Sequence, residues 1–151
     1  MMVFLLAYDP ATNPLNTTEW GFPVCEILHI VGFATLVGTI TIVDLRLLGL
    51  GMKKATPAEL WRDTAPWTLA GLALALISGP LLFSSDPLLY LHNQAFRFKI
   101  TCLALAILYN YTIQRKVALS NASGATAALT AIVSLTLWIS VVFGGIFIGF
   151  I

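Results

Sequence analysis

An all-α protein built as an integral membrane four-helix bundle is the fold this sequence predicts, and three observations predict it. Hydrophobic residues make up 58% of the chain and charged residues only 10%, with a mean hydropathy of +0.89; a soluble domain carries roughly 25% charged residues. The 151 residues are taken up by apolar runs longer than the ~18 residues that signal a bilayer crossing. From Val117 to Ile151 there is no Asp, Glu, Lys or Arg at all. Too little polar chain remains for a separate soluble domain, so residues 1–151 read as one membrane domain.

The opening Met1–Tyr8 is apolar but lacks a basic leader and a small-residue cleavage site, so no cleaved signal peptide is expected. Residues 9–20 form a turn-rich polar lead-in ending in Trp20, an aromatic suited to the headgroup level. The first span runs from about Pro23 to about Leu50. Thr56-Pro57-Ala58-Glu59 reads as a capping box with proline at the first helical position, opening a short surface helix with Trp61 and Arg62. The second span restarts after Asp63 and covers about 65–83. Ser85-Asp86-Pro87 signals another cap and a short loop helix through Leu91. The third span covers about 93–119, Asn121 to Gly124 is a stop signal, and the fourth covers about 126–150.

Lys and Arg in short loops set orientation. Lys53, Lys54 and Arg62 lie between the first two spans and Arg115 and Lys116 near the loop between the last two, whereas the N-terminal lead-in has none. Both termini are therefore expected on the outer face, which in a bacterial inner membrane is the periplasm. A net charge of +1 and the lack of a basic stripe exclude a nucleic-acid partner; the expected surroundings are the lipid bilayer and either further copies or a larger membrane complex. Cys25 and Cys102 sit inside apolar runs, with neither disulfide nor zinc spacing. Gly145-Ile-Phe-Ile-Gly149 and the Gly71, Ala75, Gly79 series are small-residue stripes for close helix contact, most simply within the bundle.

An ionisable side chain within hydrocarbon costs at least ~2.5–3.5 kcal/mol on insertion scales, which makes each one a functional candidate. His29 lies in the outer half of the first span, on a face with Gly21, Cys25, Gly32 and Leu36. A neutral imidazole is a good metal ligand, and Gly32 one turn away would leave room for a flat macrocycle, the combination an axial haem b ligand requires. The simpler role is a hydrogen bond to a carbonyl or a threonine. On the third span, His92, Arg97 and Lys99 enter at the same depth, His92 as a candidate second axial ligand and Arg97 and Lys99 as partners for haem propionates. Solvation of His92 and snorkelling of the cations are their plain alternatives. Asp44 and Arg46 read most simply as structural ion pairing with a neighbouring helix, and the cysteines as small apolar fillers.

The intramembrane His29 in Leu28-His29-Ile30 and Lys99 in Phe96-Arg97-Phe98-Lys99, on short-looped helices, resemble the HemJ family, small bacterial membrane proteins that bind haem b and oxidise protoporphyrinogen. The resemblance implies that His29 and Lys99 match that family's key histidine and lysine. Asp44-Leu45-Arg46-Leu47-Leu48-Gly49, with Pro66-Trp67 and Phe96 to Lys99, is similar to an uncharacterised group of four-helix bacterial membrane proteins and, more distantly, to copper-resistance membrane domains of the CopD type. The expected function is thus a haem b-binding, cytochrome b-like membrane protein in electron transfer. Its rivals are a HemJ-like oxidase, a metal-handling protein using Cys25 and His29 as soft ligands, and a structural accessory subunit.

Overall fold

The computed structural model describes residues 8–150; the expectation about the opening segment falls almost wholly outside them. Among the described residues there are only helices. A 3₁₀ turn at Pro10–Thr12 leads into α1 (Pro14–Thr17), then α2 (Gly21–Leu47), α3 (Pro57–Ser85), α4 (Pro87–His92), α5 (Gln94–Tyr109), a π-helical turn at Asn110–Gln114, α6 (Arg115–Leu119) and α7 (Ala125–Phe147).

Local chemistry accounts for the boundaries. α2 stops where Gly49 adopts φ +77° and the Leu50 N–H reaches back to Leu45 O at 2.8 Å, a glycine-dependent left-handed cap. The capping box at Thr56 is complete: Glu59 N–H donates to Thr56 Oγ1 at 3.2 Å, and Thr56 N–H donates to Glu59 Oε2 at 2.7 Å. Asp86 Oδ1 accepts from Leu89 N–H and Asn93 Oδ1 from Phe96 N–H, opening α4 and α5. Asn121, at φ +51°, ends α6 and accepts from Ala58 N–H at 3.1 Å, tying that turn to the start of α3.

The expected restart of the second span does not occur. α3 is one helix from Pro57 to Ser85, with Pro66 and Pro80 inside it. Each proline removes one backbone donor, but a hydrocarbon environment penalises a broken helix more than a missing bond. The polar lead-in also does more than bring the chain to the membrane. The Tyr8 hydroxyl and Asn13 Nδ2 both donate to Ser84 O, and Asn16 Nδ2 donates to Ser85 O at 2.9 Å. Residues 8–16 thus cap the last carbonyls of α3, which a helix end leaves without partners.

α2, α3 and α7 are each long and apolar enough to cross a membrane. α5 alone has 16 residues, ~24 Å at ~1.5 Å per residue and short of a ~30 Å hydrocarbon core; the π turn and α6 extend it into one rod over 94–119. α2 lies along α3, α5 along α7, and α2 against α7. Close approach of α2 and α3 depends on glycine: a Cβ on Gly71 would come within 2.7 Å of both Gly32 O and Leu36 N. This is the small-residue seam expected inside the bundle; in the last span Gly144 meets the Lys99 backbone and Gly145 the end of the Lys99 side chain, while Gly149 meets only its own helix end.

The core is small and the outside greasy. Leu36, Ile40, Leu72, Ala106, Trp138 and Val141 form one buried cluster. Ile27, Ile30, Leu69, Ile77, Leu108, Leu129, Ile139 and Phe143 face outward, while Asp44, Ser78, Asn110, Gln114 and Ser134 are buried. Apolar outside and polar inside is the reverse of a water-soluble surface and the arrangement lipid requires. The chain is an all-α protein of the membrane.

Candidate functional site

His29 and its neighbours occupy the end of the bundle opposite the loop that carries Lys53 and Lys54 and the short α6 that carries Lys116. Cys25 and His29, one turn apart on α2, both turn toward Ser78 of α3. The His29 Nδ1 lies 2.9 Å from Ser78 Oγ, which itself lies 2.6 Å from Leu74 O. A carbonyl only accepts, so Ser78 gives its proton to Leu74 O, and His29 donates Nδ1–H to the serine oxygen. That assigns the tautomer with a bare lone pair on Nε2, the form that binds a metal ion. Gly79 makes room for the ring, since a Cβ there would sit 3.4 Å from His29 Cε1. The Cys25 thiol points at Ser78 O, 3.7 Å away, and is buried.

Lys99 reaches the same region from α5. Its stem runs past Gly144 and Gly145, where a Cβ would meet Lys99 Cβ at 3.0 Å and Nζ at 3.4 Å respectively. Its Nζ lies 5.7 Å from the centroid of the Phe33 ring, which stacks on His29 at 6.2 Å and meets Trp138 edge-on at 6.2 Å. No carboxylate among the described residues pairs with Lys99. The ammonium is thus half-buried with only an aromatic face for company, an interaction worth about 0.5–2 kcal/mol and less than a full ion pair.

The other expected site residues fall less close. His92 ends α4, is exposed, and hydrogen-bonds its own helix, Nδ1 to Leu88 O at 2.8 Å. No hydrogen bond or ring contact joins it to His29. Arg97 is exposed, on a different face from Lys99. Gly32 is buried, and the space its missing side chain leaves is filled by Leu74 and Ala75, within 2.9–3.1 Å of a Cβ built there. It serves contact between α2 and α3, and the clearance beside the imidazole comes from Gly79 instead.

The expected ion pairing of Asp44 and Arg46 with a neighbouring helix is absent among the described residues; both bond to neutral groups instead. Arg46 Nε donates to Ala55 O at 2.6 Å, closing the loop after α2. Asp44 is fully buried and accepts from Gln114 Nε2 at 2.8 Å and from Ser134 Oγ at 2.6 Å. Both carboxylate oxygens are thereby matched, and α2, the π turn and α7 are stitched together. Gln114 and Ser134 carry no signal in the sequence, because an isolated Gln or Ser in an apolar run has no spacing pattern.

Fold and buried polar groups define an all-α membrane protein with an intramembrane histidine and lysine close together. The chain belongs to a family of unknown function, DUF6644, which matches residues 21–151. No curated protein and no solved structure matches it.

Proposed function

We propose that the protein is a haem b-binding electron carrier of the cytochrome b-like kind, with His29 as axial ligand through Nε2 and Lys99 as partner for a haem carboxylate. The observation that carries this reading is the Ser78 anchor, which orients the imidazole and leaves its ligating nitrogen unprotonated. Hydrogen bonding of the distal ring nitrogen is how proteins fix a metal-binding histidine. Lys99 adds a cation with no carboxylate of its own, in a setting where a charge-assisted bond is stronger than at a surface. Haem would supply a one-electron couple; the chain holds the imidazole, offers a counter-charge and keeps water away with Phe33 and Trp138. The exposed His92 and Arg97 fit as outer contacts, His92 as the second axial ligand of this reading.

The same two residues serve the rival oxidase reading, in which Lys99 holds a substrate carboxylate beside the haem. The Lys99→Met variant separates them. A shifted haem potential or weakened haem affinity marks the carrier, while a normal haem spectrum with loss of porphyrinogen oxidation marks the enzyme. The adjacency of Cys25 and His29 at Ser78 favours a third reading, a two-ligand soft-metal site, which a colourless protein that retains copper would support.

The 94–119 rod completes four crossings in this account, with both termini on the outer side of a bacterial inner membrane. Reporter fusions after Trp20 and after Leu91 should be active outside the cell, and fusions at Lys53 and Ser123 inactive there. The reverse pattern would invert the topology and move His29 to the inner face.

A further inference from the structure

The second half of the bundle holds a cavity that the histidine site does not use. It measures about 160 Å³ and lies between α2, α3 and the π turn, with Ile40, Val43, Trp61 and Leu69 as apolar walls and Asn110 and Tyr111 among its polar ones. π turns are rare and recur at functional sites, because the extra residue redirects side chains that an α-helix would keep in register. Here the turn brings Asn110 and Tyr111 together at the cavity.

Several of the polar side chains around it are engaged by neighbours. Thr64 donates to Leu60 O, Thr68 lies within bonding distance of Thr64 O and Thr39 Oγ1, and Gln114 donates to Asp44. Among the described residues, Asn110 Oδ1 and the Tyr111 hydroxyl are the buried side-chain polar atoms without a partner; Asn110 is only 2% exposed. A buried polar atom without a partner calls for an explanation such as a ligand. Asn110 Oδ1 is an acceptor only, so whatever satisfies it brings a hydrogen-bond donor; the phenol hydroxyl can give or accept.

Size and access narrow the class. An apolar protein cavity of about 150 Å³ takes one benzene, so this one holds a single six-membered ring and excludes a porphyrin. Trp61 offers an aromatic wall, with the Arg115 guanidinium 5.3 Å from its ring centroid. Leu69 is 59% exposed at the lipid-facing side, and α3 and α5 do not run together along their length, so entry is from the bilayer. We infer that this cavity binds a lipid-soluble, hydroxyl-bearing single ring of the benzoquinol class, its hydroxyl donating to Asn110 Oδ1 and its ring against Trp61, with Tyr111 as the second polar contact.

The inference stands apart from the haem reading and is tested without haem. Decyl-substituted benzoquinol, kept reduced under argon, is titrated into detergent-purified full-length protein and tryptophan fluorescence is followed. Saturable quenching is expected, lost in Trp61→Phe, with the matching quinone binding at least about ten-fold more weakly because it brings no donor. Asn110→Leu should weaken quinol binding at least about ten-fold and erase the preference over quinone. Quenching in the wild-type protein that rises linearly, as partitioning into detergent does, would overturn the inference, as would unchanged saturable binding in Asn110→Leu. Should Asn110→Leu fail to fold, Tyr111→Phe decides: a several-fold loss supports the site, and full retention together with equal quinol and quinone binding refutes it.

Discussion

Two polar centres hang from α2, His29 near one end and Asp44 ~22 Å further along at ~1.5 Å per residue, and they differ in what is left over once neighbours have bonded. Asp44 has both oxygens engaged by Gln114 and Ser134 and no exposed surface. His29 has Nδ1 engaged by Ser78 with the Ala75 backbone beside it, and no side-chain partner meets its Nε2 among the described residues; Lys99 nearby has a cation without a carboxylate. In hydrocarbon a fully matched buried group belongs to the architecture, because nothing remains with which to do chemistry. A centre with unmatched valence is held at a cost in stability and so points to a ligand. The same test separates the threonines around the inner cavity from Asn110 and Tyr111.

Substitutions can break this contrast, beginning with the largest effect. Asp44→Ala strands Gln114 Nε2 and Ser134 Oγ in the interior and should cost on the order of 2–4 kcal/mol of stability, read from denaturant unfolding in detergent. His29→Ala should change stability by less than about 1 kcal/mol, since it orphans one exchangeable serine contact. Equal costs would erase the distinction between structural and functional centre. Ser78→Ala sharpens it: the fold stays, but the imidazole loses its anchor, and haem affinity should fall about ten- to hundred-fold. Lys99→Met should weaken haem binding about ten-fold, or shift its potential, while Arg97→Met, on an exposed face, changes either by less than about two-fold. At the inner turn, Asn121→Ala loses the bond to Ala58 N–H and strains a left-handed position, costing about 1 kcal/mol and leaving any haem spectrum unchanged.

How far the sequence reaches differs between the same two centres. Helix ends were legible wherever a side chain meets its own backbone a few residues away, as at Thr56–Glu59, Asp86 and Asn121. His29 and Lys99 stood out because a charge or imidazole in an apolar run is costly. Partners drawn from distant segments were not legible: Ser78 for His29, and Gln114 and Ser134 for Asp44, are ordinary residues whose meaning lies in which helix faces which. The uninterrupted α3 was missed because Pro66 after Asp63 and Thr64 imitates a helix start, and only the surrounding bundle overrides that local signal. The π turn has no local signature in Asn110 to Gln114 at all; it shows only in the fold, where Gln114 at its end reaches Asp44 across the interior.

Whether His29 spends its Nε2 on iron is measured directly by paired optical spectra of the purified wild-type protein and His29→Ala. The wild-type protein should show a reducible Soret band and α band, and His29→Ala should lose both while keeping its helical circular dichroism and thermal transition. A wild-type protein without a Soret band, or a folded His29→Ala variant with an unchanged redox spectrum, would contradict that role for His29.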